Sequence, residues 1–292
     1  MRLIAILLAL WANQHPRKVD SWRSPEPFLR YLRWLERSLW ERVGDHPWLR
    51  LALALLPPVL LFALLQVLLE GWLLGLAEIA LGAWALLFLH GPGSPDEQVR
   101  DFCADWREGR IDSARSHAAE LTDSSTNTAS AASLPLLAAA GLFWQSYRRW
   151  LSGIFWLLLL GPVGPVALRL IVLLHEHAQR QSDDELADSS NQLLALADWL
   201  PARAAALSFA LAGSFVHARD AWRKAGDESD QAARLVAAAG VGALHIDDAE
   251  EPFDPESDDV EEFLQDAREL VGRSSMIWVA VAALLTIAGW LY

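Results

Sequence analysis

The sequence has one cysteine, Cys103, so a disulfide within one chain is excluded. Cysteine usage therefore does not indicate whether the protein faces an oxidising or a reducing compartment. It has no Gly-x-Ser-x-Gly elbow, no P-loop and no Cys-x-x-Cys pair, so common signatures of soluble enzymes are absent. Basic residues are also scarce, with 24 Lys and Arg against 37 Asp and Glu. That balance argues against nucleic acid as a partner, because nucleic-acid-binding proteins present a basic face. No strand pattern of any length occurs either.

Long apolar segments are what the sequence does contain. Residues 51–69, 72–90, 150–174 and 276–292 each carry at most one formal charge. A bilayer core of about 30 Å needs roughly 20 apolar residues in a helix, and only a helix or a closed barrel satisfies the backbone there. We therefore expect an all-α integral membrane protein with four transmembrane helices plus short re-entrant or interfacial helices. Fifteen tryptophans, a residue enriched at membrane interfaces, agree with this class.

Two N-terminal segments should lie against the membrane without crossing it. The apolar part of residues 1–12 is too short to span, and it lacks the strongly basic start and the cleavage site of a signal peptide. Residues 13–50 contain a basic amphipathic helix, in which Phe28, Leu32 and Leu35 recur at helical spacing while arginines line another face. We expect this helix in the headgroup plane, and the alternative is a helix packed on the rest of the protein.

The distribution of charge predicts the topology. The basic residues 13–50 belong in the cytoplasm by the positive-inside rule, which makes residues 91–149 a cytoplasmic loop. The acidic residues 175–275 are then an extramembrane helical region on the outer side. Both termini are expected in the cytoplasm, and a multi-pass membrane protein is expected.

Two polar stretches are candidates for irregular structure. Residues 122–133 are of low complexity and favour a flexible linker or a mobile loop. Residues 246–259 are rich in acids and contain two prolines. The glycine and spacing of an EF-hand are missing there, so a solvated acidic loop is favoured over a calcium site. We predict no metal site, and the sequence identifies no cofactor.

The third apolar segment is broken in its middle. Gly161 and Gly164 flank Pro162, and Pro165 follows, so donors are missing and the backbone can approach a neighbour closely. The freed polar groups either line a small ligand site or bond a neighbouring helix at a packing kink. Both interpretations stay open at this point.

Two charges lie inside the apolar segments. With residues 72–90 starting outside and residues 150–174 ending outside, Glu78 and Arg169 are about 8 to 9 Å from the outer boundary. We predict that they pair directly or through water, because an unpaired charge in lipid costs at least about 2.5 kcal/mol.

The most distinctive string is DWLPAR at residues 198–203. Together with the residues 155–156 and 161–164 and the terminal apolar helix, it resembles the AmpE family of bacterial inner-membrane proteins. The resemblance extends over nearly the whole chain. AmpE is in turn similar to the CobD/CbiB family of adenosylcobinamide-phosphate synthases, but the acid and hydroxyl pattern of that family is lost at residues 173–178.

The resemblance implies a sensory or regulatory membrane protein linked to β-lactamase induction and cell-wall stress. Pro201 suits the first turn of a helix running to about Phe215, which leaves Arg203 able to bind a carboxylate or phosphate with Asp198 beside it. Asp198, Arg203, Gly161 and Gly164 are therefore the candidate residues for an anionic cell-wall-derived ligand, and a purely structural ion pair is the alternative. We predict no catalytic residue, and the rival function is an enzyme with a degenerate synthase-like pocket. The bilayer is the one assured partner, and no protein partner is identified.

Overall fold

The structure, a computed structural model, describes residues 2–13, 24–40, 46–69, 75–90, 95–122, 129–226, 232–245 and 259–290. Every regular element in these ranges is helical, which confirms the predicted all-α fold. Residues 123–128 and 246–258, which hold most of the two predicted irregular stretches, lie outside the described residues. The helices are α1 (Arg2–Asn13), α2 (Glu26–Ser38), α3 (Pro47–Leu69), α4 (Leu76–His90), α5 (Pro95–Arg107), α6 (Ile111–Thr122), α7 (Leu134–Ser146), α8 (Ser152–Leu160), α9 (Val163–Gln181), α10 (Asp184–Ala212), α11 (Phe215–Ala225), α12 (Ala232–Ala243) and α13 (Asp259–Ile287).

Among the described residues, four candidate segments are long and apolar enough to cross a membrane by length and composition: Pro47–Leu69, Leu76–Arg107, of which α4 is the apolar part, Asp184–Ala212 and Asp259–Ile287. The number agrees with the sequence prediction, but the membership differs. Residues 150–174 are not among them, whereas α10 is, although its residues were assigned to the extramembrane region. Helix α10 was not predicted to cross the membrane because its first turns are acidic, although its second half is apolar.

The chain divides into two compact units. Unit 1 comprises Met1–Pro92, Ser152–Asp198 and Val279–Tyr292, and unit 2 comprises Gly93–Leu151 and Trp199–Trp278. Unit 1 holds α1 to α4, α8 and α9, while unit 2 holds α5 to α7, α11 and α12.

Helix α2 lies in unit 1 with its apolar side buried in protein. Phe28, Leu32 and Leu35 belong to a core cluster that includes the first turns of α3, the end of α4 and the second half of α9. Each such side chain contributes about 1.5–3 kcal/mol by leaving water. The alternative stated above, a helix packed on the rest of the protein, is therefore the observed arrangement of this face. An interfacial position for the opposite, basic face stays a prediction.

Helices α8 and α9 form a hairpin rather than one broken membrane span. Gly153, at the start of α8, lies against Leu89 near the end of α4, and Leu157 lies deeper, against Gly82. The second half of α9 returns to the same core cluster as Phe88 at the end of α4. The segment therefore enters and leaves unit 1 at the same end, so the prediction that residues 150–174 cross the membrane is wrong.

The same end of unit 1 also holds the start of α3. Arg50 lies 3.4 Å from Asp183, which follows α9, and His177 Nε2 lies 2.6 Å from Glu36 Oε1 on α2. Residues 175–275 were predicted to lie on the side of the membrane opposite the basic N-terminal segment. These ion pairs contradict that separation, because both members of each pair are at one end of one compact unit.

Helix α3 contains two prolines in its interior, and a side chain of α2 replaces one of the hydrogen-bond donors that they lack. Pro57 has no N–H to donate to the carbonyl of Leu53, one turn earlier. The phenol of Tyr31 donates to that Leu53 carbonyl at 2.7 Å. Burial raises the pKa of the Tyr31 phenol, which keeps it protonated and able to donate.

Replacing Tyr31 with phenylalanine is expected to cost about 1–2 kcal/mol of unfolding free energy, because the Leu53 carbonyl then loses its donor. Pro57→Ala restores a peptide N–H at the correct position, so in that background the same substitution should cost close to nothing. Thermal unfolding of the four proteins in one detergent measures the coupling. Equal losses in both backgrounds would show that the phenol does not replace the missing peptide donor.

Unit 2 is built on close helix approaches at small residues. A Cβ on Gly141 of α7 would lie 2.7 Å from the backbone of Leu121, and one on Gly240 of α12 would lie 2.4 Å from the Phe143 ring. Phe143 also meets Phe209 of α10 edge to face, with 5.1 Å between ring centroids. Residues from both 91–149 and 175–275 thus form one core, so the prediction of a membrane between these two segments is wrong.

Pro201 lies inside α10 and does not begin a helix as predicted. The helix runs Asp184–Ala212, and both Pro201 and Ala202 are buried. The predicted start at Pro201 followed a propensity that burial of the surrounding apolar side chains overrides.

Candidate functional site

The break between α8 and α9 is the most unusual backbone of unit 1. Gly161 has φ +73°, which L side chains rarely adopt, and it ends α8. A Cβ on Gly164 would lie 2.4 Å from the carbonyl oxygen of Trp156, two turns earlier in the chain. In one continuous helix these residues would be about 12 Å apart along the axis, so the chain folds back sharply here. Both glycines are therefore required by geometry.

The polar groups freed by the break are satisfied by two side chains from elsewhere. Pro162 cannot donate to the Leu158 carbonyl, and the Arg2 guanidinium donates to it instead, with 2.5 Å from Nη1 to the oxygen. The N–H of Val163 donates to Gln66 Oε1 at 3.1 Å. We call Arg2, Gln66, Leu158, Gly161 and Val163 the helix-break site.

Donors outnumber acceptors at the helix-break site. Arg2 carries five N–H donors and Gln66 carries two. The acceptors at the site are the Leu158 carbonyl, which accepts from Arg2, and the Gln66 amide oxygen, which accepts from the N–H of Val163. The Nε of Arg2 is buried without a hydrogen-bond partner. A positive, donor-rich site among apolar helices can bind an anion, because charge interactions are strengthened where water is excluded.

The break was predicted from the sequence, whereas the two side chains that bond to it were not. Gln66 is the one polar residue of the apolar segment 51–69, and Arg2 immediately precedes the first apolar run. A proline at position 162 frees the carbonyl four residues earlier, which points to Leu158. The donors themselves are 97 and 156 residues away from their partners along the chain, and no local pattern joins them.

Residues 1–292 match the family model described as Regulatory signalling modulator protein AmpE. The chain belongs to the AmpE family. This confirms the resemblance drawn from residues 198–203 and 161–164, and it gives the chain a family whose role is regulatory. No curated protein and no solved structure matches this AmpE-family chain.

Arg203, part of the string that carried the AmpE resemblance, is held by its own helix. Its Nη1 donates to the Trp199 carbonyl at 2.8 Å, and its guanidinium carbon lies 4.2 Å above the Trp199 ring. A cation above an indole face is stabilised by about 0.5–2 kcal/mol. Asp198 is assigned to unit 1 and Arg203 to unit 2, and a joint role for the two residues in ligand binding stays a prediction.

The pairing of Glu78 with Arg169 was predicted from their equal depth below the outer boundary, and the course of α9 removes that basis. Glu78 is in the first turn of α4, at the end of unit 1 away from the start of α3. Helix α9, which carries Arg169, ends beside the start of α3 and not at the predicted outer end. The pairing itself stays a prediction, and additive losses from Glu78→Leu and Arg169→Leu would contradict it.

A polar cluster closes the end of unit 1 where α9 meets α10. His175 Nδ1 lies 3.0 Å from Ser190 Oγ and 3.1 Å from the Ala187 carbonyl. Its neighbour His177 faces Glu36 on the other side of α9, as expected for residues two positions apart on a helix. Within the described ranges no group of three or more His, Cys, Asp or Glu is arranged to hold a metal ion.

A groove between α5 and α13 contains the one cysteine of this AmpE-family chain. Its volume is about 140 Å³, and Arg100, Cys103 and Arg268 are among its lining residues. Arg107 donates to Glu261 across the groove, so its arginines are partly neutralised by acids. Burial, together with the nearby charge of Glu261, raises the pKa of the Cys103 thiol to about 11.

Cys103 is expected to react slowly with a soluble maleimide. At pH 8 the thiolate fraction of a thiol with a pKa of about 11 is about 100-fold below that of an ordinary cysteine. The rate should therefore rise about tenfold per pH unit up to pH 10 in the folded protein. The same protein in denaturant should react fast and level off near pH 9, and a folded protein that levels off equally early would contradict the raised pKa.

Proposed function

We propose that this AmpE-family chain is a bacterial inner-membrane sensory protein that modulates β-lactamase induction in response to cell-wall stress. The family description supports a regulatory role. The proposed input is an anionic cell-wall-derived ligand. The single observation that carries this proposal is the guanidinium of Arg2, placed at a helix break inside a unit of apolar helices.

A site of this kind suits sensing. The Arg2 hydrogen bond joins α1 to the carbonyl of Leu158 in α8, and the Gln66 hydrogen bond joins α3 to the first turn of α9. An anion that draws the guanidinium from Leu158 changes how α1 is attached to the α8–α9 hairpin. A ligand shifts a conformational equilibrium only through such a difference in interactions between two states.

The proposed orientation places the basic segment before α3 in the cytoplasm. Asp183, which pairs with Arg50, then lies in the cytoplasm as well. Helix α5 follows the cytoplasmic end of α4, and its Asp96 accepts a hydrogen bond from Arg268 near the start of α13. With α13 as a crossing helix, the proposed C-terminus is periplasmic, which revises the cytoplasmic end expected from the charge pattern.

The test is β-lactamase induction in cells that carry the chain as their one copy of this gene. Arg2→Gln and Gln66→Leu should change the induced enzyme level several-fold at equal membrane abundance. Arg180→Gln removes an exposed arginine whose partner among the described residues is Glu176, one turn away, and it is the matched control. Unchanged induction in both site variants, with normal abundance by immunoblot, would contradict the proposed function.

A further inference from the structure

We infer that the helix-break site binds the phosphate group of a membrane lipid, with the acyl chains lying on the apolar surface around it. The inference rests on the proposed function for its biological purpose, and it narrows the anionic ligand of that site to one carried on a lipid. The binding itself is argued from the geometry of Arg2 and Gln66.

The two side chains converge on one point of the backbone. In a helix the carbonyl of Leu158 points toward position 162, so the Arg2 guanidinium lies beside the turn at Gly161 and Pro162. The Gln66 amide reaches the same turn, since a Cβ on Gly161 would lie 2.8 Å from Gln66 Nε2. Donors from α1 and α3 therefore meet within one helical turn of the hairpin.

The charge of Arg2 favours an anion at this site. In the described part of the chain, its recorded acceptor is the neutral carbonyl of Leu158, and its Nε is buried without an acceptor. A buried or membrane-embedded guanidinium is costly unless an anion and further hydrogen bonds compensate it. A phosphate group accepts two parallel N–H donors from the planar guanidinium fork, and the amide of Gln66 supplies another donor.

The surroundings indicate a lipid and not a soluble phosphate. Two elements of the site have an exposed apolar side chain next in the chain to the residue that forms it: Leu65 before Gln66, and Leu159 after Leu158. Their exposed fractions are 41% and 58%. Water-soluble anions would have to cross this apolar surface, whereas a lipid covers it with its own chains and presents its phosphate to a snorkelling arginine.

The test is thermal unfolding of the purified full-length protein in a neutral detergent with added lipid. Phosphatidylglycerol should raise the Tm of the unmodified chain by about 3–5 °C, because a ligand of the folded state stabilises it by mass action. Diacylglycerol with the same acyl chains should raise it by less than about 1 °C. Inorganic phosphate at the same concentration should have no effect if the lipid source is correct.

The variants identify the site. Arg2→Gln should abolish the shift, Arg2→Lys should retain part of it because a point charge replaces the fork, and Arg180→Gln should retain all of it. Folding of Arg2→Gln is checked by its cooperative melting without lipid, and Gln66→Leu provides an independent reduction of the shift. An equal shift in Arg2→Gln and in the unmodified chain would overturn the inference, as would an equal shift with diacylglycerol.

The outcomes for binding and for function are separable. A phosphatidylglycerol shift that depends on Arg2, together with unchanged induction in cells, would support the lipid site and contradict the regulatory proposal. Altered induction in Arg2→Gln with no lipid-dependent shift would contradict the lipid site and leave the regulatory proposal supported. A shift produced by inorganic phosphate alone would overturn the lipid as the source of the phosphate.

Discussion

Gly164→Ala is expected to lower the unfolding free energy by at least about 2 kcal/mol and the Tm by about 5 °C. The added Cβ would meet the Trp156 carbonyl oxygen at 2.4 Å. That oxygen belongs to the backbone of α8, so it cannot rotate away as a side chain could. The hairpin must open at its tip, which also moves the N–H of Val163 away from Gln66. Thermal unfolding in detergent measures the loss.

Gly272→Ala is the matched control for this substitution. Gly272 lies inside α13, and no heavy atom lies within 4 Å of its added Cβ. Alanine is favoured over glycine in a helix by about 1 kcal/mol, so this variant should be as stable as the original chain or more so. If Gly164→Ala proves as harmless as Gly272→Ala, the tight α8–α9 approach is incorrect.

Labelling of single cysteines should place Ser182 and Ser38 on the same side of the membrane. Both residues are exposed, and the ion pairs of Arg50 with Asp183 and of Glu36 with His177 fix them at one end of unit 1. Ser182→Cys and Ser38→Cys are made in a Cys103→Ser background. A membrane-impermeant maleimide applied to whole cells and to inverted vesicles should label both in the same preparation.

Leu76→Cys is the control for the opposite side, because α4 begins at the other end of unit 1. It should be labelled only in the preparation that leaves the two serine positions unlabelled. The effect is all or none, since the reagent does not cross the bilayer. Labelling of Ser182→Cys together with Leu76→Cys would support the topology expected from charge alone. It would contradict the α8–α9 hairpin.

The sequence predicted the helical class and the existence of the break, because both depend on local properties. Apolar segments of sufficient length require helices in lipid, and the combination of two glycines and two prolines within residues 161–165 favours an interruption of one. The direction of the chain after the break is not a local property. It depends on Gly164 meeting the Trp156 backbone and on α9 returning to α2, which are contacts between distant segments.

The basic helix α2 illustrates the same limit. Its amphipathic pattern predicts an apolar face over Phe28 and Leu35 but does not distinguish a lipid surface from a protein surface, because both bury the same side chains. The prolines in the sequence indicate which backbone carbonyls need a donor from elsewhere. Pro57 and Pro162 each free a carbonyl four residues earlier, and the structure supplies a donor at both positions.

The hydrogen bond from the Tyr31 phenol to the Leu53 carbonyl makes α2 part of the hydrogen bonding of α3. Detaching α2 would leave a carbonyl of α3 without a donor in an apolar medium, at a cost of about 1–3 kcal/mol beyond the lost apolar contacts. Ionic strength screens headgroup attraction but does not weaken this phenol bond. We therefore expect a wash at high salt to leave α2 attached to α3. A displacement of α2 would act directly on the part of α3 that contains the prolines.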